Sequence, residues 1–313
     1  MKIIKYTSPC QQTPALDLIE KIFGKFERDL ETPQLDGTET KHNNDFIYLA
    51  TEDDTVLGMI HITIPKHAPH LAGVSGVCTT EAARGKGVGK ALFGAAMDEI
   101  DRLGVKYSFL GTGNPIAAKM YSSFGFSYVQ NTSIMMRITD GGMIDFHRFM
   151  YDSPLGKITV TDDTAASRIP AIPLMIYRHS SVILDINVGL LSTCYLPQIC
   201  CMSLYPRYMQ LKKDGGRVLN AIDEDGVLGA MASVARDDDG TMRIDFFAVP
   251  AFKTALSEMI KKLIPENEDY YFELSASDGA KIEILEELGY IKFADSEYRH
   301  GPLVIPTVKY RKA

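Results

Sequence analysis

The chain has 313 residues, 45% of them hydrophobic, five cysteines and a net charge of −7. That length exceeds a comfortable single core, so two domains are expected, and the negative balance argues against a nucleic-acid or anionic-membrane surface. The opening M-K-I-I-K-Y-T-S lacks a signal-peptide core, and the longest apolar candidate, Ser181 to Met202, is broken by Asp185, Asn187, Gly189 and Pro197. With cysteines lacking paired spacing, this reads as a cytoplasmic protein without a membrane span. Cys200-Cys201 has no close Cys or His at zinc spacing and reads as buried small apolar residues, and no metal is expected.

In chain order, Met1 to Thr7 is a candidate first strand, and Pro14 to Leu30 carries a helical period of Leu16, Leu18, Ile19, Ile22, Phe23 and Phe26. Glu31 to Asn44 is polar and turn-rich, which predicts a surface loop. Asp45 to Glu52 and Thr55 to Ile64 predict a hairpin turning at Asp53-Asp54. On its second strand Leu57, Met59, His61 and Thr63 share one face. A strand over Leu71 to Thr80 runs into a helix from Gly85 to about Leu103, with a sheet-packing stripe interrupted by Glu99 and a closing Gly104. Tyr107 to Thr112 is strand-like, a second helix follows Gly113, and Phe126 to Ile138 is a final β run. Thr139-Asp-Gly-Gly-Met and Tyr151-Asp-Ser-Pro-Leu-Gly mark breaks. The domain reading is therefore 1–140, a linker 141–156, and 157–313. Residues 158–205 are hard to read, with helical hints over Arg168 to His179 and Tyr205 to Lys213.

The organising stretch is Val77 to Lys90, V-C-T-T-E-A-A-R-G-K-G-V-G-K. Gly85, Gly87 and Gly89 free the backbone of Cβ atoms, so N–H groups can close around an anion. A helix N-terminus adds partial positive charge and unpaired donors, and Arg84, Lys86 and Lys90 add cations. The pattern is neither G-x-x-x-x-G-K-[ST] nor G-x-G-x-x-G. It is R-x-x-G-x-G at Arg84, Gly87 and Gly89.

Directly after a strand, that pattern resembles the acetyl-CoA signature of the GNAT N-acetyltransferase superfamily. Downstream, Asn114, Ala117, Tyr121, Gly125 and Phe126 resemble the family's N-x-x-A-x-x-x-Y-x-x-x-G-F segment. The resemblance implies an α/β (α+β) fold with a mixed, mostly antiparallel sheet flanked by helices. It implies acetyl-CoA held by Arg84, Gly85, Lys86, Gly87, Val88, Gly89 and Lys90, main-chain groups of Val77, Cys78 and Thr79 along the thioester arm, and contacts from Asn114, Ala117 and Tyr121.

The second half repeats the order of elements. A hairpin over Arg217 to Asp223 and Val227 to Arg236, a strand over Met242 to Val249, a helix over Ala251 to Ile264 and a strand over Tyr270 to Leu274 precede Asp278 to Tyr290. That last segment echoes Asn114 to Phe126. The chain thus reads as two tandem acyltransferase-like folds. In the second, V-P-A-F-K-T-A-L replaces the glycine cradle with about three fewer residues, and Leu285 takes the position of Tyr121. A C-terminal domain without cofactor is expected.

The resemblance points to direct acetyl transfer onto a primary amine of a small molecule, without an acyl-enzyme. Tyr121 is the candidate proton donor to the departing thiolate, the alternative being a core tyrosine. The base stays open. His61 is either a base or a satisfied half-buried histidine, and Glu81 is either catalytic or a solvated capping residue. Asp145 and His147 are further candidates, and Cys78 reads as packing. A different acyl group or acceptor, such as an antibiotic or amino acid, and a CoA-binding sensor are the alternative functions. A monomer or a homodimer is equally compatible.

Overall fold

Seven of the apolar stretches in the front half pair into one sheet: β1 (Lys2–Thr7), β2 (Asn43–Glu52), β3 (Thr55–Pro65), β4 (Leu71–Thr79), β5 (Tyr107–Gly111), β6 (Ser127–Tyr128) and β7 (Ile134–Ile138), in the order β1-β2-β3-β4-β5-β7-β6. Neighbours run antiparallel except β4 and β5, which are parallel. The computed structural model describes all residues but 11, 12, 153, 155, 200–203, 265 and 267, so Cys200 and Cys201 lie outside the described residues.

Both faces of this sheet are covered. One face packs Ile60, Ile62 and Val74 against α3 (Val88–Arg102) and α4 (Pro115–Ser122), through Leu92, Phe93, Ala96, Ile100 and Tyr121. The other packs Ile47, Leu49 and Met59 against α1 (Thr13–Phe23) and Leu35 of α2 (Lys25–Leu35). Glu99, the polar break in the α3 stripe, is tied to Arg102 at 2.5 Å and Lys5 at 2.8 Å. Those two cations hold its carboxyl down at about 2.

Two expectations need correction here. The helix expected over Pro14 to Leu30 is broken at Gly24, whose φ of 98° no ordinary helical residue adopts. The loop expected from Glu31 begins as helix, and Glu31, Gln34 and Leu35 are buried. A polar stretch predicts solvent exposure; here the polar groups instead meet one another inside the unit.

A second sheet follows the same plan. Its strands are β8 (Thr159–Asp162), β11 (Arg217–Ile222), β12 (Leu228–Arg236), β13 (Met242–Ala248), β14 (Tyr270–Ser275), β15 (Tyr290–His300) and β16 (Leu303–Lys312), ordered β8-β11-β12-β13-β14-β16-β15. Again a single neighbouring pair, β13 and β14, is parallel among the described residues. Around it lie α6 (Ala171–Ile176), the short hairpin β9 (Ile183–Asp185) and β10 (Leu190–Leu191), α7 (Leu204–Lys213), α8 (Lys253–Leu263) and α9 (Gly279–Glu287), while α5 (Met143–His147) ends the front half. The mixed, mostly antiparallel architecture is as expected, twice over. So is the repeat: Asp278 caps α9 as Asn114 caps α4, and Gly289 and Gly125 close those helices at φ 81° and 89°.

The two compact units of the fold are not contiguous in sequence, beside the expected single linker of 141–156. The first compact unit holds Met1–Phe146 and also Thr164–Pro170, and the second takes His147–Asp163, Ala171–Gln198 and the chain after residue 203. A buried ion pair explains the return. Arg168 meets Glu39 through Nε–Oε2 at 2.9 Å and Nη2–Oε1 at 2.5 Å, and Asn43 Nδ2 donates to the Ala165 carbonyl at 3.1 Å. Arg168 and Glu39 are 2% and 3% exposed, so each needs the other.

Candidate active site

Strand β4 makes the opening. Its register with β3 runs Gly58↔Thr79 and Met59↔Cys78, then resumes at His61↔Ser75, so two residues of β4, Gly76 and Val77, stand opposite Ile60 alone. This is a β-bulge, and Gly76 sits in it at φ 59°. A Cβ there would come within 3.1 Å of Met59 Cε, so the position suits glycine on both counts. On its other edge β4 pairs with β5 only as far as Gly73↔Phe109. Beyond that the strands part, and the β4 main chain from Val74 onward no longer pairs with β5.

At the end of β4 a 3₁₀ turn (Glu81–Ala83) leads to four residues, Arg84 to Gly87, and then α3. Gly85 and Gly87 have φ of 73° and 81°, and a Cβ on either would meet nothing within 4 Å. Gly87 caps α3 without any side-chain hydrogen bond, and the first helical bond is Ala91 N–H to the Gly87 carbonyl. The amides of Val88, Gly89 and Lys90 are therefore the open donors of a 15-residue helix. Arg84, Lys86 and Lys90 are exposed, and no carboxylate among the described residues pairs with them. A diphosphate fits this turn: bare amides, no overhanging side chain, three uncommitted cations.

A cavity of about 280 Å³ lies where β4 and β5 part. Val74, Ser75, Gly76 and Val77 line it from β4, Leu110 to Thr112 from β5 and its end, and Asn114, Ala117 and Tyr121 from α4. Asn114 Oδ1 accepts from Ile116 N–H at 2.9 Å, which commits that oxygen to capping. Tyr121 is 5% exposed, and its ring lies 4.8 Å from that of Phe93. Its hydroxyl makes no hydrogen bond to any described residue. Burial pushes its pKa up to about 12, so the phenol keeps its proton at neutral pH. Cys78 is likewise pushed up to about 12 by burial and is a thiol, in keeping with packing.

The opposite wall comes from α1 and α2: Ile19, Phe23, Glu27, Leu30, Glu31 and Gln34, with Arg168 beside them. Behind Glu31 stands His61. It is fully buried, with Nδ1 2.5 Å from Glu31 Oε2 and Nε2 3.0 Å from Asp45 Oδ1. Burial alone would strip its proton, but the Glu31 and Asp45 carboxylates prevail and push it up to about 10. In return the His61 charge, outweighing burial, holds Glu31 below the usual carboxylate range. Thr63 Oγ1 lies 2.8 Å from Gln34 Oε1 and 2.7 Å from Asp45 Oδ1, extending this polar core.

These positions sort the candidates. Tyr121, Val77, Asn114 and Ala117 meet on one cavity, with the Arg84–Lys90 cradle at the end of the same strand. His61 does not line the cavity; it carries a proton between two carboxylates, so its candidacy as base is withdrawn. Glu81 is exposed on the 3₁₀ turn and does not reach the cavity either. Asp145 Oδ2 accepts from Gly142 N–H at 2.9 Å, a local cap, and neither it nor His147 lines the cavity. Sequence reasoning missed Glu27, Glu31, Gln34 and Arg168. For the first three a signal existed: Glu27, Leu30, Glu31 and Gln34 fall at i, i+3, i+4 and i+7, one face of a helix.

In the second unit the corresponding place is built differently. The 3₁₀ turn Pro250–Phe252 runs directly into α8, with nothing matching Arg84 to Gly87. Register between β12 and β13 is unbroken from Ala230↔Ala248 to Arg236↔Met242, so there is no bulge. Where β13 parts from β14, Lys281 Nζ binds Asp245 Oδ1 at 2.6 Å and the Leu184 carbonyl at 2.9 Å. A cavity of about 310 Å³ remains beside it, lined by Phe246, Phe247, Leu256 and His179 among others. Among the described residues no three His, Cys, Asp or Glu side chains could hold a metal ion, and no helix is long and apolar enough to cross a membrane.

Known proteins share part of this sequence and fold. Residues 13–126 match the model of the Acetyltransferase (GNAT) family. Among solved structures, a ribosomal-protein-alanine N-acetyltransferase from Brucella melitensis is 14% identical over 49% of this chain and 97% of its own, with a TM-score of 0.35. A GNAT superfamily phosphinothricin acetyltransferase from Sinorhizobium meliloti, solved in complex with AcCoA, is 16% identical over 49% and 87%, with a TM-score of 0.36. An acyl-CoA N-acyltransferase from Pseudomonas aeruginosa is 17% identical over 44% and 98%, with a TM-score of 0.34. A search of curated proteins finds no match.

Proposed function

We propose that the first unit, whose residues 13–126 match the GNAT-family acetyltransferase model, moves an acetyl group from acetyl-CoA to the primary amine of a small molecule by direct attack. One observation carries the reading: β4 lines the strand-gap cavity opposite no paired neighbour and beside the protonated, unbonded Tyr121 phenol, and the same strand leads on to an uncapped helix start with two left-handed glycines. Arg84, Gly85, Lys86, Gly87, Val88, Gly89 and Lys90 take the diphosphate on amides and cations. Val77, Cys78 and Thr79 offer main-chain groups to the pantetheine arm and the thioester carbonyl, with Asn114 Nδ2 and Ala117 at its side. Acetyl-CoA supplies an activated acyl group.

The residues of the chain then have defined tasks. The amine nitrogen bonds the carbonyl carbon as the C–S bond breaks. Tyr121 gives its proton to the departing sulfur and recovers one from the new amide nitrogen. Each proton transfer of this kind contributes roughly 10²–10⁴-fold.

The test is thiol release from acetyl-CoA with a panel of primary amines. Turnover by the wild type, lowered about 100-fold or more in kcat by Tyr121→Phe with acetyl-CoA affinity unchanged, is the expected result. If no amine turns over while acetyl-CoA still raises the melting temperature, a CoA-binding sensor replaces the enzyme.

A further inference from the structure

The far wall of the cavity places two carboxylates side by side, and only one of them has a partner in the fold. Glu27 and Glu31 are one turn apart on α2, with Cβ atoms roughly 5–6 Å apart, an arrangement that destabilises a helix when the charges are alike. Both line the cavity. Their surroundings differ. Glu31 is clamped by His61 at 2.5 Å, whereas Glu27 makes no hydrogen bond or ion pair with any described residue. Facing Glu27, α1 presents Ile19 and Phe23, β4 presents Ser75, β5 presents Thr112 at its end, α4 presents Tyr121, and the Thr164–Pro170 segment presents Arg168, already forked onto Glu39. No cation is left over for it. An incoming cation would supply the missing partner.

We propose that Glu27 receives the acceptor's ammonium at this end of the cavity and takes its proton, while the clamped Glu31 holds that ammonium in place. The inference rests on the transferase reading above and names both the acceptor class, a cationic primary amine with an apolar body, and the base. The apolar body follows from Ile19, Phe23, Leu30 and Val74 on the same walls. The proton ledger closes. R–NH3⁺ gives one proton to the Glu27 carboxylate and becomes the nucleophile. Tyr121 protonates the sulfur and takes the second proton from nitrogen, and Glu27 releases its proton to water after the amide leaves.

The two carboxylates are pulled apart in acidity, which fits a division of labour. Burial, with the charge of Glu31 added, raises the pKa of Glu27, making it the better base. The imidazolium of His61, against the effect of burial, keeps Glu31 ionised as a fixed anion.

The experiment measures kcat/KM against pH for phenethylamine and 1,4-diaminobutane with the full chain and with Glu27→Gln. The inference expects a loss of about 100-fold at pH 7, disappearance of the acid limb of the profile, and a deficit that shrinks as the pH approaches the amine's own pKa. Acetyl-CoA affinity by calorimetry stays at the wild-type value, and Glu27→Asp recovers part of the rate. A Glu27→Gln enzyme with wild-type kcat/KM and an intact acid limb overturns the inference and leaves the transferase reading standing. A pH-independent deficit with weakened acetyl-CoA binding overturns it as well, by showing a structural role. Absence of turnover in the wild type with any amine overturns both.

Discussion

The two units share a strand order and one parallel pair each, yet the same gap in the sheet has opposite contents. In the first, a bulge at Gly76 and an early end to β4–β5 pairing leave main-chain groups facing an open cavity. In the second, β13 keeps its register, and Lys281 with Asp245 occupies the point of divergence. The turn at the head of the next helix tells the same story, with four residues before α3 and none before α8. A fold of this kind provides a gap by topology alone; one glycine out of register and one short insertion make it a site.

That contrast can be broken at several points. The largest effect belongs to the cradle. Gly87→Glu places a side chain at φ 81° and a negative charge over open amides, and acetyl-CoA affinity should fall at least about 100-fold, some 2.7 kcal/mol. Lys253→Glu, at the head of α8, should leave calorimetric affinity unchanged. Equal losses would mean that both units bind. Next comes the paired position on the following helix. Leu285 is wholly buried where the first unit has Tyr121, so Leu285→Ala should cost about 2–5 kcal/mol in denaturant unfolding without altering kcat per folded molecule. A specific kcat loss would give the second unit a part in the chemistry.

The smallest effect is a difference of sign. The pKa of His61 is raised in the folded chain to about 10 from 6.5, so its contribution is complete below 6.5 and is lost as pH rises toward 10. His179 in the second unit is lowered by burial to about 4, so its contribution is complete above 6.5 and is lost as pH falls toward 4. Hydrogen exchange corrected for intrinsic rates should show β3 amides weakening toward alkali and β13 amides toward acid. Parallel trends in the two strands would count against the assigned protonation states.

The succession of strands and helices and the mixed, mostly antiparallel sheets were legible because they depend on local period and on residues with one conformational use. Gly87 and Gly125 are needed at positive φ, and the alternation of β3 separates Ile60 and Ile62 from Met59 and His61. The far wall was not legible. Glu31, Gln34, Asp45 and Thr63 are polar, which by itself predicts solvent exposure, but their partners lie 16 to 30 positions away in the chain, as in His61–Glu31 and His61–Asp45. Composition cannot report a pairing at that distance. The bulge was invisible for a related reason: Gly76 takes its register from Ile60, not from its neighbours. Arg168 is the extreme case, meeting Glu39 across 129 residues.

That last pairing bears on any attempt to prepare the front half by itself. A fragment stopped near residue 146 would contain every strand of its sheet and the whole cradle, and would look complete on paper. It would also strand the Glu39 carboxylate in the interior without its guanidinium, a defect worth about 3–5 kcal/mol in comparable cases. Subcloning that respects the fold must therefore carry the chain through Pro170, past the first strand of the second sheet.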